Sequence, residues 1–84
     1  MDKTIFSGEY EVFLRRLRGA RQRSGLTQVE LAERLGQTQS FVSKCERGER
    51  RLDMVEARAF CVAMGVSFPA FVAAFDKEVR RGTS

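Results

Sequence analysis

The stretch from Thr27 to Gly48, TQVELAERLGQTQSFVSKCERG, contains two short amphipathic patterns separated by a turn centred on Gly36. The apolar or small residues are Leu31, Ala32 and Leu35 in the first pattern, and Val42 and Cys45 in the second. Each set falls on one face of a helix, so the two helices can share a core. The stretch therefore predicts two helices that cross steeply at a tight turn.

The free face of the helix that follows Gly36 is polar and basic. Its side chains are those of Gln39, Ser40, Ser43, Lys44 and Arg47. Amide, hydroxyl and ammonium groups on a rigid helix are suited to reading base edges in the major groove. This face predicts that the protein binds double-stranded DNA.

Size and composition indicate one small domain spanning residues 1–84. A chain of this length buries only about 60–65% of its unfolded surface, so association between chains would add stability. No apolar run approaches the roughly 20 residues of a membrane span. The N-terminus also lacks the layout of a secretory signal. We expect a soluble protein of the bacterial or phage-infected cytoplasm, associated with the nucleoid.

The chain has no histidine, and its two cysteines, Cys45 and Cys61, fall on the apolar faces of predicted helices. This pattern disfavours a zinc site and favours buried free thiols. The sequence also lacks a glycine-rich phosphate loop, and its carboxylates occupy predicted surface positions. We expect no metal, no cofactor and no catalytic residues, so the chain is predicted not to be an enzyme.

Positive charge is concentrated in one segment. The net charge of the chain is +4. From Arg15 to Arg51 there are ten Lys or Arg residues and four acids, whereas the remaining residues hold five bases and seven acids. A localised basic surface is typical of a nucleic-acid-binding protein, although many solvated faces are also basic.

Periodicity predicts an all-α fold of five helices, because no strand-like alternation or hairpin turn occurs. The helices are expected at about residues 9–23, 28–35, 39–47, 54–64 and 68–80. Their start signals are Ser7, Thr27 with Glu30, Thr38, Asp53 with Glu56, and Ser67 before Pro69. Gly25, Gly36, Gly48 and Gly65 mark where helices end.

Apolar spacing also predicts which residues face the core. In the first helix these are Tyr10, Phe13, Leu14 and Leu17, with Ile5 or Phe6 stapling its start. In the fourth helix they are Val55, Ala59, Phe60, and Val62 or Ala63. In the fifth helix they are Phe68, Phe71, Val72, Phe75 and Val79.

The sequence resembles the helix-turn-helix family of Cro, phage repressors and restriction–modification controller proteins, the XRE-like regulators. The similarity covers roughly Val12 to Phe75. It includes the opening GLTQ-x-ELA from Gly25 and the closing S-K-x-E-R-G that ends at Gly48. The residue after the turn glycine is usually apolar in this family, and here it is Gln37. The resemblance implies a compact, lambda-repressor-like domain whose helix-turn-helix is formed by the second and third helices.

The resemblance also implies roles for individual residues. Positions that reach bases are Gln39, Ser40 and Lys44, with Ser43 facing either a base or a phosphate. Phe41 either packs against the domain or meets a thymine methyl group. Positions that meet phosphates are Thr27, Gln28, Thr38, Arg47, Arg50 and Arg51. Arg21 and Glu46 match a structural salt bridge between the first and third helices.

The apolar stripe of the fifth helix exceeds what so small a core can hide, and an exposed apolar patch usually marks a partner surface. We expect a homodimer formed through Phe68, Phe71, Val72 and Phe75. Its operator would be a palindrome with half-sites about 10 base pairs apart, or a multiple of one turn.

These observations predict a sequence-specific transcriptional regulator, such as an autoregulatory controller protein or a phage or mobile-element regulator, acting as repressor or activator. The alternative is a helix-turn-helix module used for protein contact, such as an antitoxin or anti-repressor component. Acidic or apolar residues on the third helix would favour that alternative, and the observed face does not carry them. Glu30 and Glu33 either contact RNA polymerase or form a solvated face.

Overall fold

The computed structural model describes the backbone of residues 4–82 and the side chains of residues 8–82. Over this range the chain forms five α-helices, namely α1 (Thr4–Arg23), α2 (Gln28–Leu35), α3 (Gln39–Glu46), α4 (Met54–Met64) and α5 (Phe68–Gly82). The described residues contain no strand. The predicted all-α architecture of five helices is therefore confirmed.

Helix α1 begins earlier than the sequence indicated. It starts at Thr4 rather than near Glu9, so Ser7 lies inside the helix and is not its N-cap. No proline interrupts residues 4–23, and so nothing forces the backbone out of helical geometry before the first apolar turn. The proposed staple by Ile5 or Phe6 concerns side chains outside the described residues. Gly25, at φ +76°, follows the end of α1 as expected.

Local hydrogen bonds fix the start and end of α2 and the start of α3. Thr27 and Glu30 form the predicted capping box, with Glu30 N–H to Thr27 Oγ1 at 3.1 Å and Thr27 N–H to Glu30 Oε1 at 2.9 Å. Thr38 Oγ1 accepts the Phe41 N–H at 3.1 Å and caps α3. Gly36 has φ +67°, a left-handed conformation that glycine adopts without a Cβ penalty. These bonds leave a very short turn between the two helices.

The core lies where the five helices converge. Its buried members include Leu17 and Ala20 of α1, Leu31 and Ala32 of α2, Val42 and Cys45 of α3, Phe60, Cys61 and Met64 of α4, and Phe71 of α5. Burying large apolar side chains contributes about 1.5–3 kcal/mol each. This shared core holds the exposed face of α3 in a fixed position relative to α1 and α2.

Helix α4 buries a different face from the one predicted. Its buried residues are Ala57, Phe60, Cys61 and Met64, whereas Val55 is 76% exposed and Val62 is 59% exposed. Ala59 is exposed too. Among the α4 residues assigned to the core by apolar spacing, only Phe60 is fully buried, and Cys61 is buried as the cysteine prediction states. The helix is apolar on both faces, so periodicity alone cannot select the inward one. Packing against α2 and α5 selects it.

Helix α5 runs two residues past its predicted end, to Gly82. Phe71 is buried in the core, Phe68 and Phe75 are half-buried, and Val72 is 42% exposed. The rings of Phe71 and Phe75 meet Phe13 edge-on, at centroid distances of 5.9 and 6.2 Å. Most of the aromatic stripe is therefore used inside the domain, and Val72 is its most exposed member.

None of the described helices is by itself long and apolar enough to cross a membrane. Only α4 and α5 taken together pass that test of length and composition, and the pair is bent by 115°.

Candidate nucleic-acid interface

The outer face of α3 presents Gln39, Ser40 and Lys44 to solvent, as predicted. The opposite face of the same helix buries Val42, Cys45 and Glu46 in the domain. Because the polar and the buried residues lie on opposite faces of the same two-turn helix, the polar side chains cannot turn inward unless the buried residues become exposed. Helix α3 is thus a rigid, amphipathic element with a hydrophilic free surface.

A buried carboxylate anchors the C-terminal end of α3 to α1. Glu46 is only 2% exposed, and its two carboxylate oxygens accept hydrogen bonds from Arg21 Nε at 2.6 Å and Nη2 at 3.1 Å. Arg21 also donates from Nη1 to the Leu26 carbonyl at 3.0 Å. The predicted pairing of Arg21 with Glu46 is present in the structure. A bidentate pair of this kind fixes orientation as well as charge.

Two glutamine side chains extend this buried pair to the protein surface. Gln28 Nε2 donates to Glu46 Oε1 at 3.0 Å, and Gln28 Oε1 accepts a hydrogen bond from Gln39 Nε2 at 2.7 Å. Gln28 begins α2 and Gln39 begins α3, so the chain of bonds links three helices. Because its amide nitrogen is held, Gln39 is oriented before any ligand arrives.

The segment after α3 carries three arginines, each held by an intramolecular contact. Arg47 Nε donates to Glu49 at 2.9 Å, and Arg47 also bonds the Ser43 hydroxyl. Arg50 Nη2 donates to Glu56 at 2.7 Å. These pairs are exposed and can exchange for phosphate oxygens at little cost, since surface ion pairs contribute only about 0–1 kcal/mol.

Arg51 is held by an aromatic ring. Its guanidinium carbon lies 4.1 Å from the ring centroid of Tyr10. The Tyr10 hydroxyl accepts the Leu52 N–H at 3.1 Å, which ties the same segment to α1. Such a cation–π contact orients the guanidinium group and leaves its N–H groups able to bind an anion.

These ion pairs also change proton affinities. The hydrogen bond from Arg50 lowers the pKa of the Glu56 carboxyl, helped by the Asp53 N–H, and raises the pKa of Arg50 itself. In the same way, the hydrogen bond from Arg47 lowers the pKa of Glu49. Both acids therefore keep their charge to lower pH than an ordinary glutamate, and they compete with phosphate for the arginines.

Phe41 is half-buried at the edge of the core. Its ring centroid lies 6.3 Å from that of Phe60, and the Arg50 guanidinium carbon lies 4.9 Å from it on the outside. The packing interpretation of Phe41 agrees with this position. A thymine methyl group would meet only the edge of the ring that remains exposed.

The N-terminal ends of α2 and α3 carry the remaining predicted phosphate contacts. Thr27 and Thr38 are exposed, and each uses its oxygen as an acceptor in a cap. Their hydroxyl hydrogens can still be donated to an anion. Helix N-termini favour anions because their first backbone N–H groups have no intrahelical partner.

Several contacts at this site had no signal in the sequence. The hydrogen bonds of Gln28, of Tyr10 with Leu52, and of Arg18 Nη2 with the Glu46 carbonyl at 3.3 Å join residues that are distant in the sequence. Residue type shows that these side chains can form such bonds but does not show which partner they meet. The D-x-x-E pattern did indicate that Glu56 lies near the start of α4, but not that it holds Arg50.

The cysteine prediction is confirmed in one respect, because Cys45 and Cys61 are both free and buried. Burial raises the pKa of each thiol. Within residues 8–82, no group of three or more histidine, cysteine or acidic side chains is arranged to hold a metal ion.

The fold and the exposed face of α3 define the class of helix-turn-helix proteins, and comparison with known proteins agrees. Residues 12–75 match the model of a family described as a helix-turn-helix domain. The chain is also similar to a solved structure, an XRE-family like protein from Pseudomonas syringae pv. tomato str. DC3000. That similarity has 45% sequence identity and a TM-score of 0.86, and covers 90% of this chain and 93% of that one. No curated protein matches the chain significantly.

The chain belongs to the XRE-type helix-turn-helix family. Proteins of this family are in general DNA-binding regulators without enzymatic activity, and the chain is a DNA-binding regulator in that broad sense.

Proposed function

We propose that this protein is a sequence-specific transcriptional regulator that binds a palindromic operator as a homodimer and controls its own promoter. The observation that carries the proposal is the exposed face of α3, whose first residue is held in place by Gln28 and the buried Glu46. A reading helix must hold its side chains in position, since misplaced donors lose the discrimination between bases.

In the proposed complex α3 lies in the major groove. Gln39 reads adenine through its amide, and Lys44 reads guanine through O6 and N7. Ser40 adds a hydroxyl that suits several bases. Ser43, already bonded to Arg47, sits beside the phosphate-facing residues. Phe41 is placed at the groove edge, where its exposed rim meets a thymine methyl group or a sugar.

Phosphate contacts surround this face on two sides in the proposal. Gln28, Thr27 and Thr38 lie at the starts of α2 and α3, and Arg47, Arg50 and Arg51 follow the end of α3. Contacts of this type fix the register of the protein on the duplex without reading sequence. They also release counterions, so affinity should fall steeply with salt.

The proposed dimer uses an apolar groove of about 350 Å³ beside α5. The groove is lined mainly by aromatic and aliphatic side chains, including Tyr10, Phe13, Leu52, Met54, Phe68, Val72 and Phe75. A second copy suits it because the N-terminal half of α5, from Phe68 to Phe75, carries no charge. An uncharged patch is complementary to itself across a two-fold axis.

The proposed RNA polymerase contact has one available acid on α2. Glu30 and Glu33 are both exposed, but Glu30 is committed to the capping box. The proposal covers both repression and activation at the same operator.

Selection of bound sequences from random duplex DNA tests the proposal. We expect enrichment of a palindrome with half-sites about 10 base pairs apart or a multiple of one turn. A matched selection with the Gln39→Ala and Lys44→Ala double variant should lose the enriched bases, whereas Arg58→Ala, on the exposed side of α4, should retain them. If nothing is enriched, the protein-contact alternative replaces this proposal; an asymmetric motif would remove only the dimer.

A further inference from the structure

A second pocket lies beside α1 and the C-terminal half of α5, and contains none of the residues proposed to bind DNA. It has a volume of about 460 Å³ and is lined by Arg15, Arg16, Arg18, Gly19, Gln22, Arg23 and Glu78. Its lining contains four arginines and a single acid.

Positive charge in this pocket is only partly neutralised. Glu78 accepts hydrogen bonds from Arg15 and from Arg16, the latter at 2.7 Å from Nε. Arg18 Nε lies 3.9 Å from Glu46, whose carboxylate is already bonded by Arg21. Among residues 8–82, Arg23 forms no ion pair with an acid. Arg18 Nη2 also donates to the Glu46 carbonyl at 3.3 Å, so only part of this guanidinium remains available. One carboxylate thus faces both Arg15 and Arg16, and Arg23 has no acidic partner among the described residues.

Gly19 lines the pocket with backbone atoms only, because it has no side chain. A Cβ atom built on this residue would lie 3.1 Å from Nη1 and 3.9 Å from Cζ of Arg23. The guanidinium group of Arg23 therefore folds back over bare backbone that any other side chain would cover. A single methyl group at this position would shift the Arg23 guanidinium and reduce the space between the arginines.

This arrangement is unfavourable for the helix itself. Glycine inside a helix is less favourable than alanine, and like charges three residues apart, as at Arg15 and Arg18, repel each other. Neither feature serves the core, which α1 joins through Leu17 and Ala20 on its other side. Glu78 and Glu46 offset the charges of Arg15 and Arg18 in part, whereas no contact within the domain offsets the cost of Gly19. Positions that break local rules in this way are expected where a ligand binds.

We infer that this pocket binds a phosphate group. Guanidinium forks match the oxygens of a phosphate and bind them in pairs. Arg23 supplies the available fork, Arg18 adds the N–H groups that are not directed at Glu46, the Gln22 amide adds a donor, and Glu78 positions Arg15 and Arg16. The phosphate belongs either to a small phosphorylated molecule or to a nucleic-acid backbone, and both present the same oxygens. The inference does not rest on the proposed function.

Titration with pyrophosphate, followed by amide chemical shifts at constant ionic strength, tests the pocket directly. We expect shifts at residues 15–23. Arg23→Gln removes the available fork and should raise the pyrophosphate Kd by about tenfold. Gly19→Ala keeps every charge, favours the helix and only shifts the Arg23 guanidinium, so it should raise the Kd by a smaller factor. Gly8→Ala is its matched control, because this glycine lies on the same helix with nothing within 4 Å of its Cβ position. We expect the control to leave the Kd unchanged.

A second arm separates the two sources of phosphate. Arg23→Gln and the control Arg58→Gln each remove one exposed positive charge, and are compared on a duplex trimmed to the bound site and on one with long flanks. If Arg23→Gln binds the flanked duplex more weakly than Arg58→Gln does, while the two variants bind the trimmed duplex equally, the phosphate belongs to nucleic acid. Equal DNA affinities together with a raised pyrophosphate Kd assign it to a small molecule. The inference is overturned if neither arm separates the pocket variants from their controls.

Discussion

The guanidinium carbon of Arg50 lies 4.9 Å from the ring centroid of Phe41, so the segment after α3 folds back onto that helix. The same guanidinium donates to Glu56 at 2.7 Å. Arg50 therefore joins α3 to α4 and, in the proposal, also meets a phosphate. These two roles can be separated by experiment.

We expect Arg50→Ala to weaken binding to specific and random DNA alike, because a phosphate contact carries no sequence information. The slope of log K against log salt should fall by about one. Binding measured at several salt concentrations gives this slope, with Arg58→Ala as the control for charge alone. An unchanged slope would assign Arg50 to packing on Phe41 and not to phosphate.

We expect Gln39→Ala and Lys44→Ala each to relax preference at one base pair, at about 1–3 kcal/mol per lost bidentate contact. Competition between the operator and single-base variants measures this loss. Gln28→Ala should weaken the same preference as Gln39→Ala, because Gln28 Oε1 holds the Gln39 amide at 2.7 Å. Equal losses on operator and random DNA would contradict base reading.

Arg21→Ala should destabilise the fold by about 3–5 kcal/mol, because it leaves a buried carboxylate without its main partner. Arg21 is 12% exposed and Glu46 is 2% exposed, so solvent cannot replace the lost bonds well. Urea unfolding measures the change. Arg58→Ala should stay within about 0.5 kcal/mol of wild type. A loss below about 1 kcal/mol for Arg21→Ala would mean that Gln28 and Arg18 suffice to hold Glu46.

Val72→Asp should give folded monomers, because Val72 is the most exposed of the α5 residues that line the groove. Phe71→Asp should instead unfold the chain, since Phe71 is only 7% exposed. Phe75→Asp should fall between these outcomes. Ala73→Asp makes the same kind of change at an exposed position outside the groove and should leave the dimer intact. Sedimentation measures the assembly, and the dimer hypothesis is falsified if wild type stays monomeric at tens of micromolar and on operator DNA.

The buried thiols should make stability fall at alkaline pH. Burial raises the pKa of Cys61, whose ordinary value is 9.0, so the folded state favours the neutral thiol. A raised pKa contributes stability that is fully present below pH 9 and lost as the pH rises through the folded-state value. Unfolding free energies from pH 8 to 11 measure this, and Cys61→Ala should show a smaller decline. Equal declines in both proteins would contradict it.

Slow alkylation offers a second measure of the same burial. We expect iodoacetamide to modify Cys45 and Cys61 only as fast as the fold opens, since both are fully buried. Modification at the rate of an unfolded peptide would contradict the structure.

The local signals of the sequence determined much of this fold. The bounds of α2 follow from Thr27, Glu30 and Gly36, because capping boxes and left-handed glycines act within three or four residues. The polar face of α3 was also visible, since the division between apolar and polar residues on one helix depends only on spacing. The start of α1 could not be located from the sequence, because Ser7 resembles a cap but lies within a longer helix.

Only the tertiary structure decided the choices between chemically similar alternatives. Helix α4 has apolar residues on both sides, and the positions of α2 and α5 determine that Ala57 is buried and Val55 exposed. Likewise, the amide of Gln28 can bond many partners, and the packing of α2 against α3 places Glu46 within its reach. Sequence spacing fixes what one helix presents; which partner it meets depends on side chains brought together from distant parts of the chain.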